Sequence, residues 1–368
     1  MVNWNLKCLL GSGSQGEVWM NEDQTHAIKQ CVFDFDRLPT VLRELYAFSV
    51  FRNVPHLLQM REWRVNESKS HVQLAVDLYT HDLRTIIETN RCLESQIKYF
   101  MIQILKGLVN IHARGFIHRD IKPDNILVRN EDIVIGDFGL MRAHRNNFDQ
   151  MSEGMQTIWY RAPEMFEKKP YSSKIDMWSL GVMLSEMIQG YQAFSGTTPE
   201  EQMQLHKRFL KDRRPSQSLY AWIVEGRSDI QFCTTLVEFL QGLLEFDPQK
   251  RFSAEQALSH PWLQASFFVY SFPVISFPPL SKEHQTWLQN IDPAFYLITK
   301  QFFQLCLPHF QGNPKVLLQE SSDLAELIEE LAGDAGPFIL CSQTAKILFG
   351  MAHPKDVASD STSPSHTL

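Results

Sequence analysis

The chain has no pair of cysteines at metal-ligand spacing. Cys8, Cys31, Cys92, Cys233, Cys306 and Cys341 are scattered. That excludes a zinc-finger scaffold and shows no disulfide framework, so the expectation is reduced thiols in a cytoplasmic or nuclear protein. Basic charge is not in excess either. The formal net charge is −7 with both signs interspersed, which argues against nucleic acid as the main partner, because phosphate backbones are held by basic surfaces. The one compact basic cluster, Lys211 with Arg213 and Arg214 around Asp212, is short and reads as a solvated face. The opening MVNWNLKCLL lacks a basic stretch followed by an apolar run, so no secretory leader is expected. The most apolar long stretch, LQASFFVYSFPVISFPPL at 263–280, carries Pro273, Pro278 and Pro279. Prolines there break a spanning helix, so no membrane segment is expected.

What is present is enough for a full core: 44% of the 368 residues are apolar. Residues 4–80 alternate apolar and polar over short runs such as EVWM, HAIKQ and HVQLAVDLY, and read as strands. The exception is 38–51, where PTVLRELYAFSVF has helical spacing. From about 83 to 262 the pattern turns helical, in SQIKYFMIQILKGLVNIHARG, SSKIDMWSLGVMLSEMIQG and QFCTTLVEFLQGLLEF. A small β-rich part therefore precedes a larger helical part. Beyond 264, Asp292 and Pro293 form a helix start for PAFYLITKQFFQLC, and Asp323 with Glu326 resembles a capping arrangement for LAELIEELAG. The Ser/Thr/Asp-rich tail from 354 to 368 is expected to be disordered.

Gly11, Ser12, Gly13, Ser14, Gly16 and Val18 belong to a G-x-G-x-x-G-x-V run. It lies between two strand-like segments and not before a helix, so the dinucleotide fingerprint fails. A glycine-rich hairpin instead lets backbone N–H groups approach phosphates. The next strand, HAIK, places Ala27 beside a lysine, Lys29, that is costly inside an apolar strand unless paired. It reads either as a strand-edge lysine reaching water or as a cation for nucleotide phosphates, with Glu44 as its candidate anion.

Residues 118–125 read HRDIKPDN, and DFG follows at 137–139. Phosphoryl transfer needs a carboxylate near the acceptor hydroxyl, a cation on the transferred group and oxygen ligands for Mg²⁺. Asp120, Lys122, Asn125 and Asp137 supply these in order. A merely charged loop between a helix and a strand does not predict that order.

With these words in sequence, residues 4–263 resemble the eukaryotic protein kinases, the supporting motifs being GSGSQGEV, HAIK, Glu44, HRDIKPDN, DFG and RAPE. The resemblance implies an α+β, bilobal fold: a β-rich lobe over about 4–80 with one helix, a helical lobe over about 81–263, and a helical extension over 264–353. It implies ATP and Mg²⁺ as cofactors, with Asp120 orienting and deprotonating the acceptor, Lys122 on the γ-phosphate, Asn125 and Asp137 on the metal, and Lys29 on the α- and β-phosphates, locked by Glu44. Glu164 is expected to pair with Arg251, and Asp176 to brace the catalytic loop. Val76 is the expected gatekeeper of the adenine pocket, with Asp77 and Tyr79 at the hinge and Asp82 near the ribose. Lys122 and Thr157 match the pattern of Ser/Thr kinases, so the acceptor is a Ser or Thr hydroxyl.

Within the family, DFGLMRA and TIWYRAPE look like the CMGC group and, inside it, the cyclin-dependent kinases, which implies a cyclin-like activator. Alignment back from RAPE puts Ser152 at an activating phosphosite facing Arg43, Arg119 and Arg142. Gly154 stands where mitogen-activated kinases carry a phosphorylated Tyr, so single-site activation is expected. Gln156 replaces the Gly of many other kinases, which implies protein substrates with Ser/Thr-Pro sites, since proline lacks the N–H that a strained backbone there cannot satisfy. The rival from another class is a catalytically silent kinase-fold scaffold, which normally has lost Lys29, Asp120, Asn125 or Asp137; none is lost here.

Overall fold

The computed structural model describes residues 2–13, 16–32, 37–66, 71–89, 92–143, 158–211 and 234–264. The chain forms two units, one of residues 1–32 with 50–276 and one of 33–49 with 277–368. In the second, the described element is α1, Leu38–Val50, which carries Arg43 and Glu44, both buried. Pro39 lies in its first turn, where a missing N–H costs nothing.

The first unit opens with a five-stranded antiparallel sheet, β1 (Leu6–Gly13), β2 (Gly16–Asn21), β3 (His26–Val32), β4 (Met60–Asn66) and β5 (His71–Asp77), in the order β1-β2-β3-β5-β4. The inner strands β3 and β5 are rich in β-branched and small apolar residues and are mostly buried. Strand β1, glycine-rich and at the edge, is mostly exposed. Gly16, with φ +137°, sits where a Cβ would lie 2.0 Å from the Gln30 carbonyl oxygen, so only glycine allows the hairpin to close against β3.

The helical part contains α2 (Leu83–Thr89), α3 (Glu94–Ala113), α4 (Pro163–Phe166), α5 (Lys174–Gln189), α6 (Pro199–Lys211), α7 (Thr234–Leu243), α8 (Ala254–Leu258) and α9 (Pro261–Gln264). Residues 175–189 of α5 are buried without a break, so α5 lies in the interior of the helical part, with α3 and α7 packed against it. It ends at Gly190, φ +84°, whose N–H donates to the Glu186 carbonyl at 2.7 Å. Tyr160, Ala162, Trp178, Val182, Phe194 and Leu244 form its core. A capping box starts α8: Ser253 Oγ accepts from the Gln256 N–H, and Gln256 Oε1 accepts from the Ser253 N–H.

The purely helical reading of 83–262 needs one correction. Two small sheets interrupt it: β6 (His81–Asp82), β8 (Ile126–Arg129) and β9 (Asp132–Ile135) in one, β7 (Phe116–Ile117) and β10 (Arg142–Ala143) in the other. Four-residue apolar runs carry too little periodicity to show themselves. These strands hold the ends of the loops in which HRDIKPDN and DFG lie.

Candidate active site

Strand register gathers the predicted nucleotide wall on one sheet face. Val18 lies opposite Lys29, and Ala27 opposite Val76. Directly opposed residues share a face, as do residues two apart, so Val18, Ala27, Lys29 and Val76 point the same way. Gly11 faces Val18 across β1, and a Cβ on Gly11 or Gly13 would meet nothing within 4 Å, so their backbone lies open. The hinge is already partly engaged. The Asp77 N–H donates to the Gln59 carbonyl at 3.1 Å, and its carboxylate holds Arg61, with 2.7 Å between Arg61 Nη2 and Oδ2. Asp82 Oδ1 accepts the Thr85 N–H at 2.7 Å and so caps α2. Tyr79 lies two residues beyond Asp77, under the Arg129 guanidinium at 4.8 Å.

The loop between β7 and β8 converges on Asp120, which is buried. Asn125 Nδ2 donates to the Asp120 carbonyl at 2.8 Å and to its Oδ2 at 2.9 Å. Lys122 Nζ reaches the same Oδ2 at 2.8 Å. Among the described residues this leaves Asp120 Oδ1 to accept a hydroxyl proton, and leaves Asn125 Oδ1 as a hard oxygen donor. Lys29 Nζ crosses to Asp137 Oδ1 at 3.3 Å. Burial raises the Asp137 pKa, but Lys29, His118 and Lys122 outweigh it, so the carboxyl is held below its ordinary range.

The loop is braced from α5. Asp176 Oδ2 accepts the His118 N–H at 2.9 Å and faces His112 Nε2 at 2.8 Å, while Oδ1 accepts the Arg119 N–H at 2.9 Å. Burial raises the Asp176 pKa, and these partners lower it further than burial lifts it. His118 Nδ1 lies 3.3 Å from the Asp120 backbone nitrogen, and its Nε2 lies 3.0 Å from the Gly136 carbonyl oxygen. Two residues here adopt positive φ without being glycine, Arg119 at +71° and Asp137 at +57°. Such strain persists only where surroundings over-determine it, and Asp176 does so for Arg119. Further off, Arg251 grips Glu164 with two bonds of 2.7 and 2.9 Å, both side chains buried.

Carboxylate, lysine and amide on one loop, with a second lysine–carboxylate pair beside it, match a phosphoryl-transfer centre. A family model for the protein kinase domain matches residues 4–263. The chain belongs to the protein kinase family. It has the α+β bilobal fold of that family and is a protein serine/threonine kinase. Among its relatives are mitogen-activated protein kinase PMK1 of Pyricularia oryzae, 31% identical over 293 residues, 71% of this chain and 82% of the relative. Mitogen-activated protein kinase 4 of Mus musculus is 36% identical over 204 residues, 50% of this chain and 35% of the relative. The CMGC features stand, and these two relatives are mitogen-activated kinases, which do not bear out the expected likeness to cyclin-dependent kinases.

The residues fit the family's ATP and Mg²⁺. Mg²⁺ keeps few protein ligands and takes phosphate oxygens and water for the rest, which Asn125 and a charged Asp137 suit. Among the described residues no group of three or more His, Cys, Asp or Glu is placed to hold a metal alone, and this chemistry needs none. No described helix is long and apolar enough to cross a membrane. Ser14, Ser152, Gly154, Gln156 and Thr157 lie outside the described residues, as do residues 265–368. Arg142 pairs in register with Ile117, two residues before Arg119, and both arginines are buried; Arg43 lies on α1 in the other unit. Sequence reasoning missed Arg84, Asp124, Tyr160 and Glu186, which form one hydrogen-bonded network. Its signal was a glutamate inside the apolar helix MLSEMIQ, since a buried charge needs a partner.

Proposed function

We propose that this kinase transfers the γ-phosphate of ATP to Ser or Thr followed by Pro in protein substrates, and that phosphorylation of Ser152 switches it on. The observation that carries the catalytic part is the convergence of Lys122 and Asn125 on Asp120 Oδ2, which orients Oδ1 for a substrate hydroxyl. In this reading Asp120 positions and deprotonates the hydroxyl, Lys122 offsets charge on the transferred group, and Thr157 ties the two together. Asn125 and Asp137 would hold Mg²⁺, and Lys29 would hold the α- and β-phosphates. The bound nucleotide and metal supply the phosphoryl group and its charge neutralisation; the chain supplies position.

Gln156 supports the proline preference, and the mitogen-activated relatives support the same class. Those relatives weaken the case for a cyclin-like activator. Gly154 separates this chain from dual Thr/Tyr activation and leaves Ser152, with Arg119 and Arg142 as the cations a phosphate would neutralise. The test is a peptide series differing only after the acceptor. The proposal expects Pro to be preferred there, and Gln156→Gly to erase the preference without abolishing transfer. Equal use of Pro and Ala peptides by the unaltered chain would overturn it.

A further inference from the structure

The linker between β5 and β6 is anchored at both ends and held in its middle by one side chain. At its start the Asp77 N–H donates to the Gln59 carbonyl at 3.1 Å, and the Asp77 carboxylate accepts Arg61 Nη2 at 2.7 Å. At its end the Thr80 N–H and hydroxyl both donate to the Val128 carbonyl of β8, each at 3.2 Å. Between these anchors lies the peptide group that joins Leu78 to Tyr79. Its carbonyl, that of Leu78, accepts Arg129 Nη1 at 3.3 Å, and the guanidinium carbon stands 4.8 Å from the centre of the Tyr79 ring. Among the described residues that carbonyl has no other partner, and the Tyr79 N–H has none.

A trans peptide group is planar, and its C=O and N–H point in opposite directions. Arg129 ends β8, so it draws the Leu78 carbonyl toward that strand and turns the Tyr79 N–H away from it. A flip of this one peptide changes only ψ of Leu78 and φ of Tyr79, and puts a carbonyl where the N–H stands. Adenine meets such an N–H with an acceptor, its N1. Guanine meets it with a donor, its N1–H, and two facing donors stay unpaired at a cost of about tenfold or more in affinity. The orientation of the peptide therefore chooses between the bases. We propose that Arg129 sets the preference for adenine over guanine nucleotides by latching the Leu78–Tyr79 peptide with its N–H toward the base. Arg129 touches no nucleotide in this account and is a positioning residue. The proposal rests on the assignment of Asp77 and Tyr79 to the hinge, with the base against residues 77–79.

The experiment uses the full chain, Arg129→Ala and Arg129→Lys. For each, the dissociation constants of Mg-ATP and Mg-GTP are read by competition with a fluorescent adenine nucleotide, and kcat and KM for both nucleotides are measured with one Ser-Pro peptide. The GTP-to-ATP ratio of dissociation constants is expected to fall about tenfold in Arg129→Ala, ATP binding more weakly and GTP more tightly, the scale of a hydrogen bond to a charged group. The change falls in KM more than in kcat. Arg129→Lys keeps a cation and a donor near Tyr79, so it should retain most of the ratio. Arg129 is exposed, so both variants should melt with the unaltered chain. An unchanged ratio in Arg129→Ala overturns the proposal. Equal weakening of both nucleotides does so too, since it marks a general loosening of the linker. An unaltered chain that binds GTP as well as ATP overturns the proposal and counts against the hinge assignment. Nucleotide binding without transfer counts against the proposed reaction alone, and the binding ratio still decides the role of Arg129.

Discussion

Asp176 shows what one carboxylate can organise. It receives two consecutive backbone N–H groups, from His118 and Arg119, and the ring of His112, all at 2.8–2.9 Å. Replacing it by Ala leaves those donors buried and unpaired, each costing about 1–3 kcal/mol. The expected outcome for Asp176→Ala is a loss of roughly 3–5 kcal/mol in denaturant titration together with a fall in kcat, because Arg119 loses what holds its positive φ. A variant that melts lower yet keeps full kcat would contradict the brace. Two other buried groups titrate in opposite senses. Burial drives His206 down to about 3, so the unfolded chain binds the extra proton and stability falls as pH drops from 6.5 toward 3. Glu186, raised to about 7, binds its proton more tightly when folded, so its contribution is lost as pH rises from 4.5 to 7. The prediction is that His206→Leu loses less stability than the unaltered chain between pH 7 and 5. Parallel losses in both proteins would contradict it.

At the scale of elements, close contacts decide what is tolerated. A Cβ on Gly242 of α7 would lie 2.0 Å from the Phe252 ring, and the Phe252 N–H donates to the Gly242 carbonyl at 2.9 Å. Gly242→Ala should therefore cost about 1–3 kcal/mol, read as a lower melting temperature, while Phe252→Leu in the same background should recover part of it. The Glu164–Arg251 pair ties α4 to the turn before α8 across 87 residues, and the same guanidinium donates to the Glu245 and Lys174 carbonyls at 2.8 Å. Removing one partner of a buried pair strands the other charge, so Glu164→Ala should cost about 3–5 kcal/mol and Arg251→Ala a similar amount. The double variant should cost less than the sum; additive losses in the cycle would show that the two do not act as a pair.

For the molecule as a whole, the catalytic loop was legible because its parts are neighbours in sequence. Asp120, Lys122 and Asn125 stand within six residues, and one turn brings them onto a single oxygen. Asp137 follows on the next loop, whereas the face shared by Lys29 and Val76 came only with the register that sets Ala27 opposite Val76. The Arg84 network was not legible. Its contacts join residues 40, 76 and 102 positions apart, and only folding reveals which cation answers Glu186. The short strands β6 to β10 escaped because two to four residues hold no period. The branch within the CMGC group was not legible for a different reason: words such as TIWYRAPE speak for the group and do not divide its branches.

The most direct measurement is phosphate transfer from Mg-ATP to a Ser/Thr peptide library by the full chain, phosphorylated on Ser152, beside Asp120→Asn. The account predicts transfer to Ser and Thr, favoured by a following Pro and reduced about 10²–10⁴-fold in Asp120→Asn, the scale of a general base, with ATP binding retained in both. ATP binding without transfer by the phosphorylated chain, or equal transfer by both proteins, would contradict it.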